Sequence, residues 1–145
     1  MRKTKIFILT CLMSILTLAI NAQNTNESFD WSKVIDAIIK VESKGDHKAF
    51  NPKGNCAGIL QITPILVKEC NQILRKNNSN KHYTNNDRYN AEKSKEMFII
   101  LQEHFNPEHN VEKAIRCWNK GFYGNWRGKS TAYYNKVMQY YNGGN

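Results

Sequence analysis

From residue 31 to the end of the chain, apolar side chains recur at steps of three and four. That period constrains the fold more than any other feature. Trp31, Val34, Ile35, Ile38 and Val41 line one face of a helix over about residues 31–44, with Gly45 as a natural stop. Thr63-Pro64 opens a second helix, Thr as N-cap and Pro in the first turn, with Leu66, Cys70, Ile73 and Leu74 on its buried face. A third, over about 90–105, carries Met97, Phe98, Leu101 and Phe105 and ends at Asn106-Pro107. A fourth, over about 108–120, shows Val111, Ala114, Ile115 and Trp118, and a fifth is expected over about 131–141. Between them lie a Gly/Asn/Pro-rich loop (46–58), an Asn-rich surface loop (77–86) and an aromatic, glycine-bearing loop (122–128). No alternating strand pattern of useful length and no internal repeat occurs. The expectation is a small all-α, single-domain fold.

The N-terminus follows different rules. Arg2, Lys3 and Lys5 precede an almost wholly apolar run over residues 6–20, and the small Ala22 stands before Gln23. This reads as a secretory signal peptide over residues 1–22, followed by one domain over 23–145. A run of fifteen residues falls short of the roughly 20 that a comfortable membrane span needs. Cys11 lies inside the run rather than at its end, which argues against a lipoprotein cleavage site. The expected location is therefore outside the cytoplasm, periplasmic or secreted.

The whole chain has 145 residues and a formal net charge of +9. Without the leader, 18 basic groups face 12 acidic ones over about 123 residues, a formal +6. A moderately basic exported domain suits an anionic partner such as a cell-wall polymer or membrane surface. Export and the scatter of the lysines disfavour nucleic acid. No glycine-rich phosphate loop and no Ser/His/Asp signature is present, and nothing demands an organic cofactor. Four histidines (His47, His82, His104, His109) and three cysteines (Cys56, Cys70, Cys117) lack any CxxC or HExxH spacing, so no metal is expected. An oxidising compartment permits one disulfide among the three cysteines and leaves one thiol over; the pairing stays open.

Glu42 is the anomaly. It lies four residues after Ile38 and seven after Ile35, which puts a carboxylate on the apolar face of the first helix. Burial penalises the charged form and favours the acid, and a glutamic acid that keeps its proton near neutral pH can protonate a leaving oxygen. Ser43 follows at once. Beyond Ala49-Phe50-Asn51-Pro52-Lys53-Gly54 comes Gly58-Ile59-Leu60-Gln61, then Trp118-Asn119-Lys120-Gly121, and finally Tyr133-Tyr134-Asn135-Lys136-Val137.

In this order and spacing the four motifs resemble those of the lytic transglycosylases of the lysozyme-like superfamily, the soluble-transglycosylase type related to goose-type lysozyme. The family pattern is a catalytic Glu-Ser at a helix end, Gly-Leu-Met-Gln, Tyr-Asn-x-Gly and a last helix with Tyr-Val-x-x-Val. The resemblance covers about residues 31–141. It implies Glu42 as catalytic acid and then base, with Ser43 orienting that carboxyl or the sugar. It also implies Gln61 and Asn119 contacting substrate, Trp118 as an aromatic wall, and Tyr133 hydrogen-bonding near the carboxylate. The implied substrate is peptidoglycan, cut at the β-1,4 bond between N-acetylmuramic acid and N-acetylglucosamine to leave 1,6-anhydro-muramic ends. The implied partners are glycan strands and cell-envelope machinery, for a monomeric enzyme without cofactor.

The chain departs from that pattern where Trp118 replaces the usual Tyr, where Lys120 replaces a small residue, and in a loop one residue longer that contains Cys56. Asp46 and Asp87 are the candidate second carboxylates, and neither falls in a matched motif. Two-carboxylate glycosidases hold the pair roughly 5–9 Å apart, so a lone Glu42 favours an intramolecular route. Hydrolysis by water and a non-catalytic wall-binding protein are the competing readings.

Overall fold

The computed structural model describes residues 28–143. The signal-peptide reading of residues 1–22 lies outside them. Five helices follow in order: α1 Ser32–Glu42, α2 Pro64–Lys76, α3 Ala91–Phe105, α4 Val111–Lys120 and α5 Thr131–Tyr141. A two-residue hairpin, β1 Phe50–Asn51 with antiparallel β2 Cys56–Ala57, sits between α1 and α2, and a 3-10 turn over Asn85–Tyr89 precedes α3. The all-α expectation holds; the hairpin is too short to leave an alternating pattern. Among the described residues no helix is long and apolar enough to cross a membrane.

Short polar side chains set the helix starts. Thr63 Oγ1 accepts the Leu66 N–H at α2, and the side chains of Asn90 and Asn110 do the same for Lys93 and Lys113 at α3 and α4. This corrects the fourth helix, which begins at Val111 rather than near residue 108. The buried Asn106 side chain accepts the Asn110 N–H and donates to the Asn110 carbonyl, which fastens 106–110 as a turn. At α5 the start is held from outside. The buried Arg116 reaches the Lys129 carbonyl and Thr131 Oγ1, and stacks on the Tyr134 ring.

The core lies where α1 packs on α5 and α2 on α3, with α4 against α1 and α5. Ile38, Met97, Phe98, Leu101, Ile115 and Val137 are fully buried at its centre. Trp31 locks the start of α1 to α3, its indole N–H donating to Glu103 Oε1 at 3.0 Å. Tyr83 is buried rather than part of a surface loop. Asn71 bonds its backbone N–H and carbonyl, and its hydroxyl donates to Glu96 at 2.7 Å.

Between β2 and α2 the chain makes a tight turn closed by reciprocal bonds of Ala57 and Ile62 at 3.0 and 2.9 Å. Gly58 has φ +75, and a Cβ there would stand 1.7 Å from the Arg88 carbonyl oxygen. Both the backbone angle and the approach of residue 88 demand glycine. We predict that Gly58→Ala lowers stability by about 3 kcal/mol, through left-handed strain and a backbone clash. Urea unfolding followed by circular dichroism measures it. A loss within about 0.5 kcal/mol would mean the turn relaxes freely.

Candidate active site

Glu42 is the last residue of α1, and Tyr133 lies in the first turn of α5. The packing of α1 on α5 brings them together across 91 residues, and the Tyr133 hydroxyl donates to Glu42 Oε1 at 2.6 Å. Burial raises the Glu42 pKa above its ordinary value; the Tyr133 hydrogen bond and the positive charge of Lys136 pull the other way. The same burial, followed by the nearby Glu42 charge, holds the Tyr133 phenol far above the usual tyrosine range. The phenol is therefore a fixed donor to the carboxylate.

Glu42 opens into a cavity of about 250 Å³ lined also by Asn51, Cys56, Gln61, Thr63, Leu66, Trp118 and Asn119. Gln61 enters this wall from the 58–62 turn, and three side chains hold the carbonyls of that turn. Ser43 Oγ donates to the Ile59 carbonyl at 2.9 Å, Trp118 Nε1 to the Leu60 carbonyl at 3.1 Å, and Arg88 Nη1 to the Ile62 carbonyl at 3.1 Å. Ser43 thus docks the turn on the end of α1; its hydroxyl hydrogen bonds go to Ile59 and Gly45, not to Glu42. Trp118 is buried, with Phe98 against its ring at 4.9 Å, so it meets the cavity as part of the core. Arg88 was not among the sequence candidates. In a polar, Asn-rich stretch an arginine looks solvated, yet it is buried and also donates to the carbonyls of Asn55 and Asn85.

Gln61 has φ +51, a left-handed angle uncommon outside glycine and characteristic of constrained sites. Its amide nitrogen donates to the carbonyls of Gly58 and Ala49 at 3.0 and 3.3 Å, which leaves Oε1 as an acceptor at the cavity. Asn119 is the complement. Its Oδ1 accepts from Ser130 Oγ at 2.9 Å, which leaves the amide NH2 as a donor. The exposed Tyr123 hydroxyl, in the 122–128 loop, donates to Glu69 of α2 at 2.8 Å.

Both candidate second carboxylates are spent on local structure. Asp46 accepts the Lys48 N–H, and Asp87 caps Thr84 and pairs with Lys93 at 2.6 Å. Cys56, Cys70 and Cys117 are free thiols, so no disulfide forms among the described cysteines. Burial pushes Cys70 up to about 12. Among the described residues no group of three His, Cys, Asp or Glu side chains is placed to hold a metal ion.

Two outcomes follow from the carboxyl's surroundings. Replacing Tyr133 by Phe removes a bond to the charged form, so the Glu42 pKa should rise further; ¹³C-detected titration of the carboxyl reads the shift. Because the folded pKa lies above the unfolded one, Glu42 contributes stability below the unfolded value and loses it as pH rises through the folded value. Glu42→Gln should therefore melt a few degrees above the parent at pH 8 and show a smaller gain at pH 4. Thermal scans at both pH values check the sign.

A family model described as "Transglycosylase SLT domain" matches residues 19–145. Neither a curated relative nor a solved structure matches the chain. The match spans every element that builds the Glu42 cavity, from α1 through the 58–62 turn to α5. The chain belongs to the transglycosylase SLT domain family, the lytic transglycosylases of the lysozyme-like superfamily, whose substrate is peptidoglycan.

Proposed function

We propose that the protein is an exported lytic transglycosylase that cuts the β-1,4 bond between N-acetylmuramic acid and N-acetylglucosamine, with Glu42 as acid and then base. The observation that carries this reading is a single half-buried carboxyl, raised in pKa and held by Tyr133, facing a cavity lined by no second carboxylate. Glu42 delivers its proton to the bridging oxygen as the bond to the anomeric carbon breaks. The muramic N-acetyl carbonyl supports the resulting cation, a role that a second carboxylate fills elsewhere. Glu42, now charged and steadied by Tyr133 and Lys136, takes the proton of the 6-hydroxyl as that oxygen closes on the anomeric carbon. The ring closure gives the 1,6-anhydro end and regenerates the acid.

Gln61 and Asn119 supply an acceptor and a donor at the same cavity, the pair that an N-acetyl amide requires. Trp118 acts by holding the Leu60 carbonyl and the turn that carries Gln61. The basic head and apolar run within residues 1–22, read as a leader, support export to the compartment that contains the wall.

Digestion of purified sacculi, with mass spectrometry of the released muropeptides, tests the reading. Anhydro-muramic ends are expected, and Glu42→Gln should slow their release by roughly 10²–10⁴-fold, the usual worth of a positioned general acid. Reducing ends would instead assign a lysozyme-like hydrolase. No soluble product from well-folded protein, with sacculus binding retained, would assign a non-catalytic wall-binding protein.

A further inference from the structure

The start of α5 sends two side chains to residues of the Glu42 cavity, and it is built unlike the three helix starts before it. α2, α3 and α4 each begin at a residue whose side chain accepts a backbone N–H of the first turn. Ser130, where α5 begins, makes no such bond. Its hydroxyl turns away and donates to Asn119 Oδ1 at 2.9 Å. Its backbone has φ +55 and ψ +36, a left-handed conformation that a residue other than glycine keeps only where its surroundings over-determine it. Three residues later, Tyr133 donates to Glu42.

Arg116 supplies the surroundings. α4 holds this guanidinium inside the protein at 7% exposure, a costly place for a charge unless its donors are used. Nε donates to Glu112 at 2.8 Å, while Nη1 donates to the Lys129 carbonyl and to Thr131 Oγ1. Lys129 and Thr131 are the two neighbours of Ser130. The guanidinium also lies 4.3 Å from the centre of the Tyr134 ring, next to Tyr133. Arg116 does not line the cavity, but Asn119, one turn further along α4, does. One face of α4 thus grips the start of α5 at residues 129, 131 and 134 and receives Ser130 on its cavity-lining amide.

We propose that Arg116 and Ser130 are positioning residues: Arg116 fixes the first turn of α5, through which Ser130 aims the Asn119 amide and Tyr133 meets Glu42. The proposal deepens the reaction proposed above and rests on it. With Oδ1 occupied by the Ser130 hydroxyl, the Asn119 amide is held in one of its two orientations, with its NH2 group free to donate to an N-acetyl carbonyl. Without the hydroxyl, either end of the amide can face the substrate. Without Arg116, the uncapped turn relaxes and carries Tyr133 off Glu42, which stays buried with one bond to its anion fewer. Substrate contact and proton transfer are tied to the same support because Ser130 and Tyr133 move as one turn.

Two variants read the two branches. Ser130→Gly keeps the left-handed angle available and removes only the hydroxyl. Its KM for glycan strands should rise about threefold, the usual worth of one neutral hydrogen bond, with kcat and the pH profile held. Arg116→Met should raise the Glu42 pKa, read by ¹³C-detected titration of the carboxyl, and the alkaline limb of kcat/KM should move up with it. In a Tyr133→Phe background the same substitution should lose most of that shift, because its route to the carboxyl is already cut. Should Arg116→Met not fold, Thr131→Val removes one of its bonds at an exposed position and should shift the carboxyl in the same direction. A merely structural arginine would lower Tm and leave the carboxyl titration of the folded protein unchanged. That result, an unchanged KM in Ser130→Gly, or an equal shift in the Tyr133→Phe background would overturn the proposal. The carboxyl titration needs no turnover, so a shift routed through Tyr133 in protein that cuts no sacculi would sustain the positioning and remove the proposed reaction.

Discussion

The structure turns on how the carbonyls of one short turn are satisfied. Residues 58–62 must fold back tightly and enter the interior, which strands carbonyl oxygens away from water; an unpaired one would cost about 1–3 kcal/mol. Ser43 takes Ile59, Trp118 takes Leu60 and Arg88 takes Ile62. These donors come from the end of α1, from α4 and from the 3-10 turn before α3. Three distant segments are thereby pinned to the turn that presents Gln61, and the cavity beside Glu42 follows from that pinning. Gly58 completes the arrangement, because the Arg88 backbone lies where any side chain would have to go.

The carboxyl depends on a second long-range contact. The packing of α1 on α5 both buries Glu42, which favours its acid form, and supplies Tyr133, which steadies its anion. The role proposed for Glu42, acid and then base, needs both states within reach. Burial alone would make the anion too costly, and a hydrogen bond or cation alone would make the acid too weak. The opposed influences of burial on one side, and of Tyr133 and Lys136 on the other, meet both needs within a single-domain chain.

Much of this was legible in the residues. The five helices follow from apolar spacing, and Glu42 stood out because a carboxylate interrupts a buried stripe. The Gly58–Gln61 and Trp118–Gly121 motifs marked the other walls. Less was legible where a polar side chain serves the backbone. Asn106 moves the start of α4 to Val111 by fastening a turn, and no periodicity predicts that. Arg88 carries no local mark of burial, since its partners are backbone carbonyls at residues 55, 62 and 85. Ser43 reads as a neighbour of the carboxyl, yet its hydroxyl bonds the turn. The cysteines permitted a disulfide, but the fold keeps all three as free thiols.

The sequence by itself determined the helical class, the helix cap at Thr63, and the order of the four motifs, because these depend on spacing along one chain. The tertiary structure decided which donors meet which carbonyls, that Asp46 and Asp87 are absorbed into turns, and that Tyr133 touches Glu42. Those outcomes depend on how helices far apart in sequence pack, and the burial that results sets both the protonation of Glu42 and the pairing of every polar group around it.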